Sequence, residues 1–140
     1  MTHLLSRPDY ERWLYAIPET YASVRSSTLR FFTTSATAGV IQGTVFFHSG
    51  HELRVTEFVD FAVGDIMDYG YEVRHGGKKL YWYDPQPHPN DPTLASTHPH
   101  HKHVPPDIKH NRIPAPGFSF TQPNLPLLIE EIEHDLLKVD

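Results

Sequence analysis

The sequence predicts an α+β domain: an antiparallel four- to five-stranded meander sheet with an N-terminal helix and a C-terminal amphipathic helix. Three observations predict it. Residues 27–83 are rich in Val, Ile, Thr, Phe and Tyr, and Gly-bearing turn signals break them at Ala38-Gly39, Ser49-Gly50 and Gly76-Gly77. Ser6-Arg7-Pro8-Asp9 reads as a helix start, with Pro in the first turn and an acid to complement the dipole. Near the other end, Leu125, Leu128, Ile129, Ile132 and Leu136 recur at helical spacing. At 140 residues with no internal repeat, a single domain over residues 1–140 is expected.

Taking the elements in order, Trp13, Leu14 and Ile17 give the first helix an apolar stripe, and Pro18 is expected to stop it. The compact sheet occupies residues 20–84, with strands at Thr28–Thr34, Val40–His48, Glu52–Phe61, Tyr69–His75 and Lys78–Tyr83. Ala62–Asp68 fits either a loop or a helical turn. Residues 85–122 form a Pro/His-rich segment, because all prolines but Pro8 and Pro18 lie between Pro85 and Pro126. Pro123 opens the closing helix, residues 123–138. Its second face carries Glu130, Glu131, Glu133, His134 and Asp135, so it covers one side of the sheet.

Zero cysteine excludes a disulfide framework, a thiolate nucleophile and any Cys-ligated zinc or iron–sulfur centre. The start MTHLLSRPDYE has no signal-peptide core, and no apolar run approaches the ~20 residues of a membrane helix. A cytoplasmic protein without membrane contact is expected. The net charge of -5 hides an asymmetry. Residues 71–112 are net basic and hold seven of the eleven histidines, whereas both flanks are acidic. That middle segment is the only one a polyanion would seek.

A two-residue Gly76-Gly77 turn would pair Arg74 with Lys79, Val73 with Leu80, Glu72 with Tyr81 and Tyr71 with Trp82. One face would then hold Tyr71, Val73, Leu80 and Trp82 as a core face. The other would present Glu72, Arg74, Lys79, Tyr81 and Tyr83, a surface suited to holding phosphate by charge and a base by stacking. A plain solvated outer face fits the same pattern.

The most unusual segment is Thr97-His98-Pro99-His100-His101-Lys102-His103-Val104. In an extended chain His101 and His103 share one side, with Cβ atoms ~6 to 7 Å apart, and His100 and Lys102 face the other. Two imidazoles at that spacing suit metal-free RNA cleavage, one taking the proton of a ribose 2′-OH and the other giving a proton to the leaving oxygen. His-x-His on a strand also suits zinc, nickel or copper, with a third ligand drawn from Glu57, Asp84 or His88. A Pro-stiffened polar loop is the plain alternative. Glu57 shares a strand face with Leu53, Val55 and Val59, as a paired core residue, a bulge or a functional acid. Asp84 and His88 lead from the last strand towards the cluster. Phosphate-binding Gly loops, nucleophile elbows and Rossmann fingerprints are absent from the sequence.

Tyr69-Gly70-Tyr71, Gly77, Leu80, Tyr83-Asp84, His88-Pro89 and Pro99-His100-His101-Lys102-His103, followed by Leu128-Ile129-Glu130-Glu131-Ile132, resemble the TumE family of small bacterial and archaeal proteins. The family is regarded as the toxin half of toxin–antitoxin pairs, and the resemblance covers about residues 51 to 136. The Pro-His-His-Lys-His run is its specific part. The family's Arg before Tyr-Asp is Trp82 here, its Asn-Ala-Pro-His-His is Pro85 to Pro89, and its Phe is His98.

The resemblance implies a toxin activity, RNA as target, a cognate DNA-binding antitoxin and an outline like that of the small toxin ribonucleases. The combined expectation is a metal-independent endoribonuclease with His101 and His103 as acid and base, His100 as an alternate member and Tyr81 as an orienting group. Lys102, Arg74, Lys79, Tyr83 and Tyr71 would bind substrate, and no cofactor would be needed. Two alternatives stand beside it. One is a hydrolase or nuclease holding a divalent metal such as zinc on His101 and His103. The other is a non-catalytic binding module, with a homodimer through exposed sheet edges.

Overall fold

In the computed structural model, which describes residue 4 and residues 6–138, the chain is α+β. Helix α1 (Arg7–Tyr15) opens on Ser6, whose hydroxyl caps the Asp9 amide, and it buries Tyr10 and Leu14. Pro18 does not end the helical region. It sits in the first turn of a second short helix, α2 (Ile17–Thr20), where a missing N–H leaves no bond unmade.

Eight strands follow, all paired antiparallel: β1 (Val24–Ser27), β2 (Arg30–Thr33), β3 (Ala38–Phe47), β4 (His51–Asp60), β5 (Asp65–His75), β6 (Lys78–Asp84), β7 (His101–His103) and β8 (Arg112–Pro114). The order is β1-β3-β4-β5-β6-β7-β8, with β2 beside β1 on the same edge of β3. The central four are the meander read from the pattern. The count exceeds four or five for two physical reasons. The expected Thr28–Thr34 strand is shortened to β2, and an unexpected β1 precedes it; the two part at Thr28-Leu29, where Gly43, at positive φ, lets the Thr28 backbone approach β3. Strands β7 and β8 have three residues each, too few for alternation to register, and both come from the Pro/His segment. Residues 61–64 form a turn, so the ambiguous stretch becomes a loop and the start of β5.

The last helix, α3 (Leu125–Asp135), has Asn124 at its N-cap position and Pro126 in its first turn. It lays Leu125, Leu128, Ile129 and Ile132 on one side of the sheet beside Tyr10, Leu14 and Ile17, against Ile41, Val45, Leu53, Val55 and Val73. Each of these aliphatic side chains is almost fully withdrawn from water. Such burial contributes about 1.5–3 kcal/mol per side chain, so this inner face is where the fold is held. The outer face stays open. Among the described residues no helix is long and apolar enough to cross a membrane.

The β5–β6 hairpin departs from its predicted register. His75 pairs with Lys78 and Arg74 with Lys79, but a bulge then shifts the ladder, so Val73 pairs with Tyr81, Glu72 with Trp82 and Tyr71 with Tyr83. One extra residue exchanges the two faces beyond it. Tyr81 and Tyr83 therefore turn inward with Tyr71 and are buried, and Trp82 turns outward beside Glu72. The expectation of an outer face carrying Tyr81 and Tyr83 is corrected by this bulge.

Candidate functional site

Register places the site. On the outer face one cross-strand row runs Thr44, Arg54, Glu72, Trp82, His103, Arg112. Beside it runs Gln42, Thr56, Gly70, and across β6, β7 and β8 the pairs continue as Asp84, His101, Pro114. Trp82, Asp84, His101 and His103 thus form a block of four on two adjacent strands, with Asp84 close behind Gly70.

Within this block three side chains converge. His101 Nε2 lies 3.1 Å from Asp84 Oδ1, His103 Nε2 lies 3.1 Å from Asp84 Oδ2, and the two Nε2 atoms are 3.1 Å apart. The far nitrogen of each ring is already committed. His101 Nδ1–H donates to the Pro99 carbonyl and His103 Nδ1–H to the Ile108 carbonyl, both at 3.0 Å. Those bonds fix the tautomer in which both Nε2 lone pairs face the carboxylate. Asp84 is oriented in turn by the Trp82 indole N–H at 3.1 Å and the Gln86 amide at 2.9 Å. Trp82 also stacks on the His103 ring at 4.2 Å, and the Lys79 ammonium lies 4.2 Å over the indole.

The electrostatics follow from this crowding. Burial drives the Asp84 pKa up, but hydrogen bonds from His101, the Gln86 amide and Trp82 outweigh it and hold the group well below the ordinary carboxylate range. Burial lowers the His101 pKa, yet the Asp84 bond, the Pro99 carbonyl and the Asp84 charge reverse it to a net rise. For His103 burial wins and the value falls. The two imidazoles beside the one carboxylate are therefore shifted in opposite directions, His101 up and His103 down.

The other expected site residues are placed differently. His100 points away from the pair, its Nδ1 at 2.6 Å from the Tyr69 hydroxyl. Lys102 lies on the inner side of β7, 3.3 Å from Glu131 and 4.1 Å over the Tyr81 ring. Tyr83 donates to the same Glu131 at 2.7 Å. Glu57 is fully buried and accepts from the Tyr10 and Tyr71 hydroxyls, while Asn124 Nδ2–H donates to Tyr71. It is a paired core residue, and Tyr71 is its partner. His88 packs edge-on against the His101 ring at 4.8 Å, outside the converging set. Arg74 and Lys79 do lie on the outer face, 3.4 and 2.9 Å from Glu72. Of the three candidate third ligands, Asp84 is the one brought to the histidines.

Two contributors were missed in the sequence. Trp82 stands where the family pattern has Arg, and its indole supplies an N–H donor to Asp84. Arg112 pairs with His103 across β7 and β8, has a buried Nε without a partner among the described residues, and depresses the His101 pKa by its charge. A lone Arg in a Pro-rich stretch carries no sequence signal, because only the β7–β8 pairing brings it to the cluster.

The spacing bears directly on chemistry. Two nitrogens 3.1 Å apart leave no room for a phosphodiester between them. Donors that share one ion at about 2.0–2.1 Å stand about 3.0–3.4 Å from each other, which matches the separation of the two Nε2 atoms and that of each from its nearer Asp84 oxygen. The donor set, two imidazoles and one carboxylate, is that of catalytic divalent-metal sites.

An antiparallel sheet with helices on one face and a histidine–carboxylate cluster on the other defines a small α+β protein. The chain belongs to the TumE toxin family, whose model, described as Toxin TumE, matches residues 14–136. It is therefore of the class of toxin components of toxin–antitoxin systems, which have an antitoxin partner. No curated protein and no solved structure matches it.

Proposed function

We propose that this toxin cleaves RNA phosphodiesters using a divalent transition-metal ion held by Asp84, His101 and His103, and that a cognate DNA-binding antitoxin neutralises it. The observation that carries the reading is the convergence of two imidazole Nε2 atoms, 3.1 Å apart, on the two oxygens of one carboxylate, His101 on Oδ1 and His103 on Oδ2 at 3.1 Å each, with both Nδ1 atoms tied back to carbonyls. Imidazole and carboxylate together suit zinc, manganese or iron(II). A bound ion would supply Lewis acidity to a phosphoryl oxygen and acidify a water.

The chain's own groups divide the remaining work. Trp82 and the Gln86 amide fix the carboxylate, and the Pro99 and Ile108 carbonyls fix the rings. Arg112 offers a cation beside His103 for the charge that develops on phosphate. In cleavage one P–O bond forms to the incoming oxygen and one breaks, and the nucleophile's proton passes to solvent or to the released oxygen.

Incubating purified protein with total RNA tests this. Cleavage should stop with EDTA, return with added zinc or manganese, and be absent in His101→Ala whatever metal is added. Chelator-resistant cleavage that still requires His101 would select metal-free acid–base chemistry instead, and cleavage that survives in His101→Ala would remove the site altogether.

A further inference from the structure

Gly70 is the one glycine of this chain that neither conformation nor packing requires. Gly43, Gly50, Gly64, Gly76, Gly77 and Gly117 adopt positive φ, and a side chain on Gly39 would collide with the Phe32 carbonyl and the Phe31 ring. Gly70 has ordinary strand geometry, and a Cβ built on it meets nothing within 4 Å. A glycine in mid-strand loses backbone entropy on folding and packs nothing, so its presence here calls for a different reason.

Its position supplies one. Gly70 lies on the outer face between Thr56 and the Asp84 end of β6, in a groove of about 670 Å³ that reaches from Gln42 across Arg54 to Trp82 and Asp84. The His101 and His103 side chains are only 1% and 6% exposed, whereas Asp84 is 28% exposed. The cluster is therefore entered from the Asp84 side, and Gly70 is the gap in that approach. Beyond Asp84 a second depression, of about 520 Å³, continues past Gln86 to Phe120, so a chain crossing Asp84 has a way in and a way out. Arg54, Arg74 and Lys79 stand around Glu72, and Arg54 also lies 3.6 Å from Glu52, so cations and carboxylates alternate along the groove.

We infer that Gly70 is a specificity-determining gap that admits one unpaired RNA strand along the outer sheet face, with its scissile phosphate brought to Asp84. The inference rests on the nuclease reading above. An unpaired strand can splay its bases and follow a groove on a sheet face, whereas an A-form duplex is recognised mostly by its fixed shape.

The test is a bulk series, Gly70→Ala, Gly70→Val and Gly70→Trp, read by binding of the metal-free protein to a fluorescent unstructured RNA oligonucleotide and to its duplex. Wild type should bind the single strand better than the duplex. Affinity should fall with side-chain size, by about tenfold or more at Trp, while the melting temperature holds or rises and metal stoichiometry is unchanged. Equal binding by all four proteins, a duplex preference, or no RNA binding by wild type would each overturn the gap. Because this readout needs no turnover, a wild type that binds as described but cleaves nothing would defeat the nuclease reading alone.

Discussion

His101 Nε2 stands 3.1 Å from His103 Nε2, while each ring's other nitrogen holds a backbone carbonyl. Two lone pairs so directed repel unless a proton or a cation lies between them. The strand geometry enforces the approach, since residues two apart on β7 share a face and Asp84 pairs with His101 from β6. The three side chains therefore converge on one point of the outer face.

Ligand loss should be visible as stability. Added zinc or manganese should raise the melting temperature of wild type, because an ion that binds only the folded state contributes about 2.7 kcal/mol at a hundredfold excess over Kd. Asp84→Asn and His103→Ala should fold in its absence and show no such rise. Scanning calorimetry with and without metal reads the difference, and a rise retained in both variants would place the ion elsewhere.

Trp82 should act through Asp84. Trp82→Phe keeps most of the stacking on His103 but removes the indole N–H, and should weaken metal affinity by about 10- to 100-fold. Trp82→Arg restores a donor and should recover part of that loss. Isothermal titration of the three proteins gives the order; equal affinities would show the indole bond to be inert.

Glu57 sets a pH dependence of its own. Burial raises its pKa, and the hydrogen bonds from Tyr10 and Tyr71 only partly offset that rise. The folded protein then keeps a proton that the unfolded chain releases, so stability declines as pH climbs from roughly 4.3 towards the folded value and stays level above it. Glu57→Gln should lose this slope. Urea melts across that range compare the two, and parallel profiles would contradict the assignment.

The aliphatic part of the inner face, by contrast, should answer only to packing. Leu128→Ala, at a fully buried position under the sheet, should cost about 2–5 kcal/mol in a urea melt and leave metal stoichiometry as it was.

How much was legible can be followed residue by residue. The central strands and α3 were, because apolar periodicity over ten residues reports burial directly. His101 and His103 were as well, because a period of two on an extended chain puts both on one side. The bulge at Lys79-Leu80 was not: Leu80-Tyr81-Trp82-Tyr83 is apolar throughout, so either face could be the buried one, and the choice decided whether Tyr81 and Tyr83 or Trp82 would face the groove. Asp84 was one of three carboxylate or imidazole candidates, and only the three-residue pairing of β6 with β7 singles it out. Lys102 and His100 sit in the same run as the pair, yet alternation sends Lys102 to Glu131 and the turn at Thr97 sends His100 to Tyr69.

Anomalous diffraction from crystals grown with zinc or manganese addresses the metal site most directly. A single peak about 2.0–2.2 Å from His101 Nε2, His103 Nε2 and an Asp84 oxygen is the predicted result. Fully ordered imidazoles around the same carboxylate with no peak at saturating metal would contradict it.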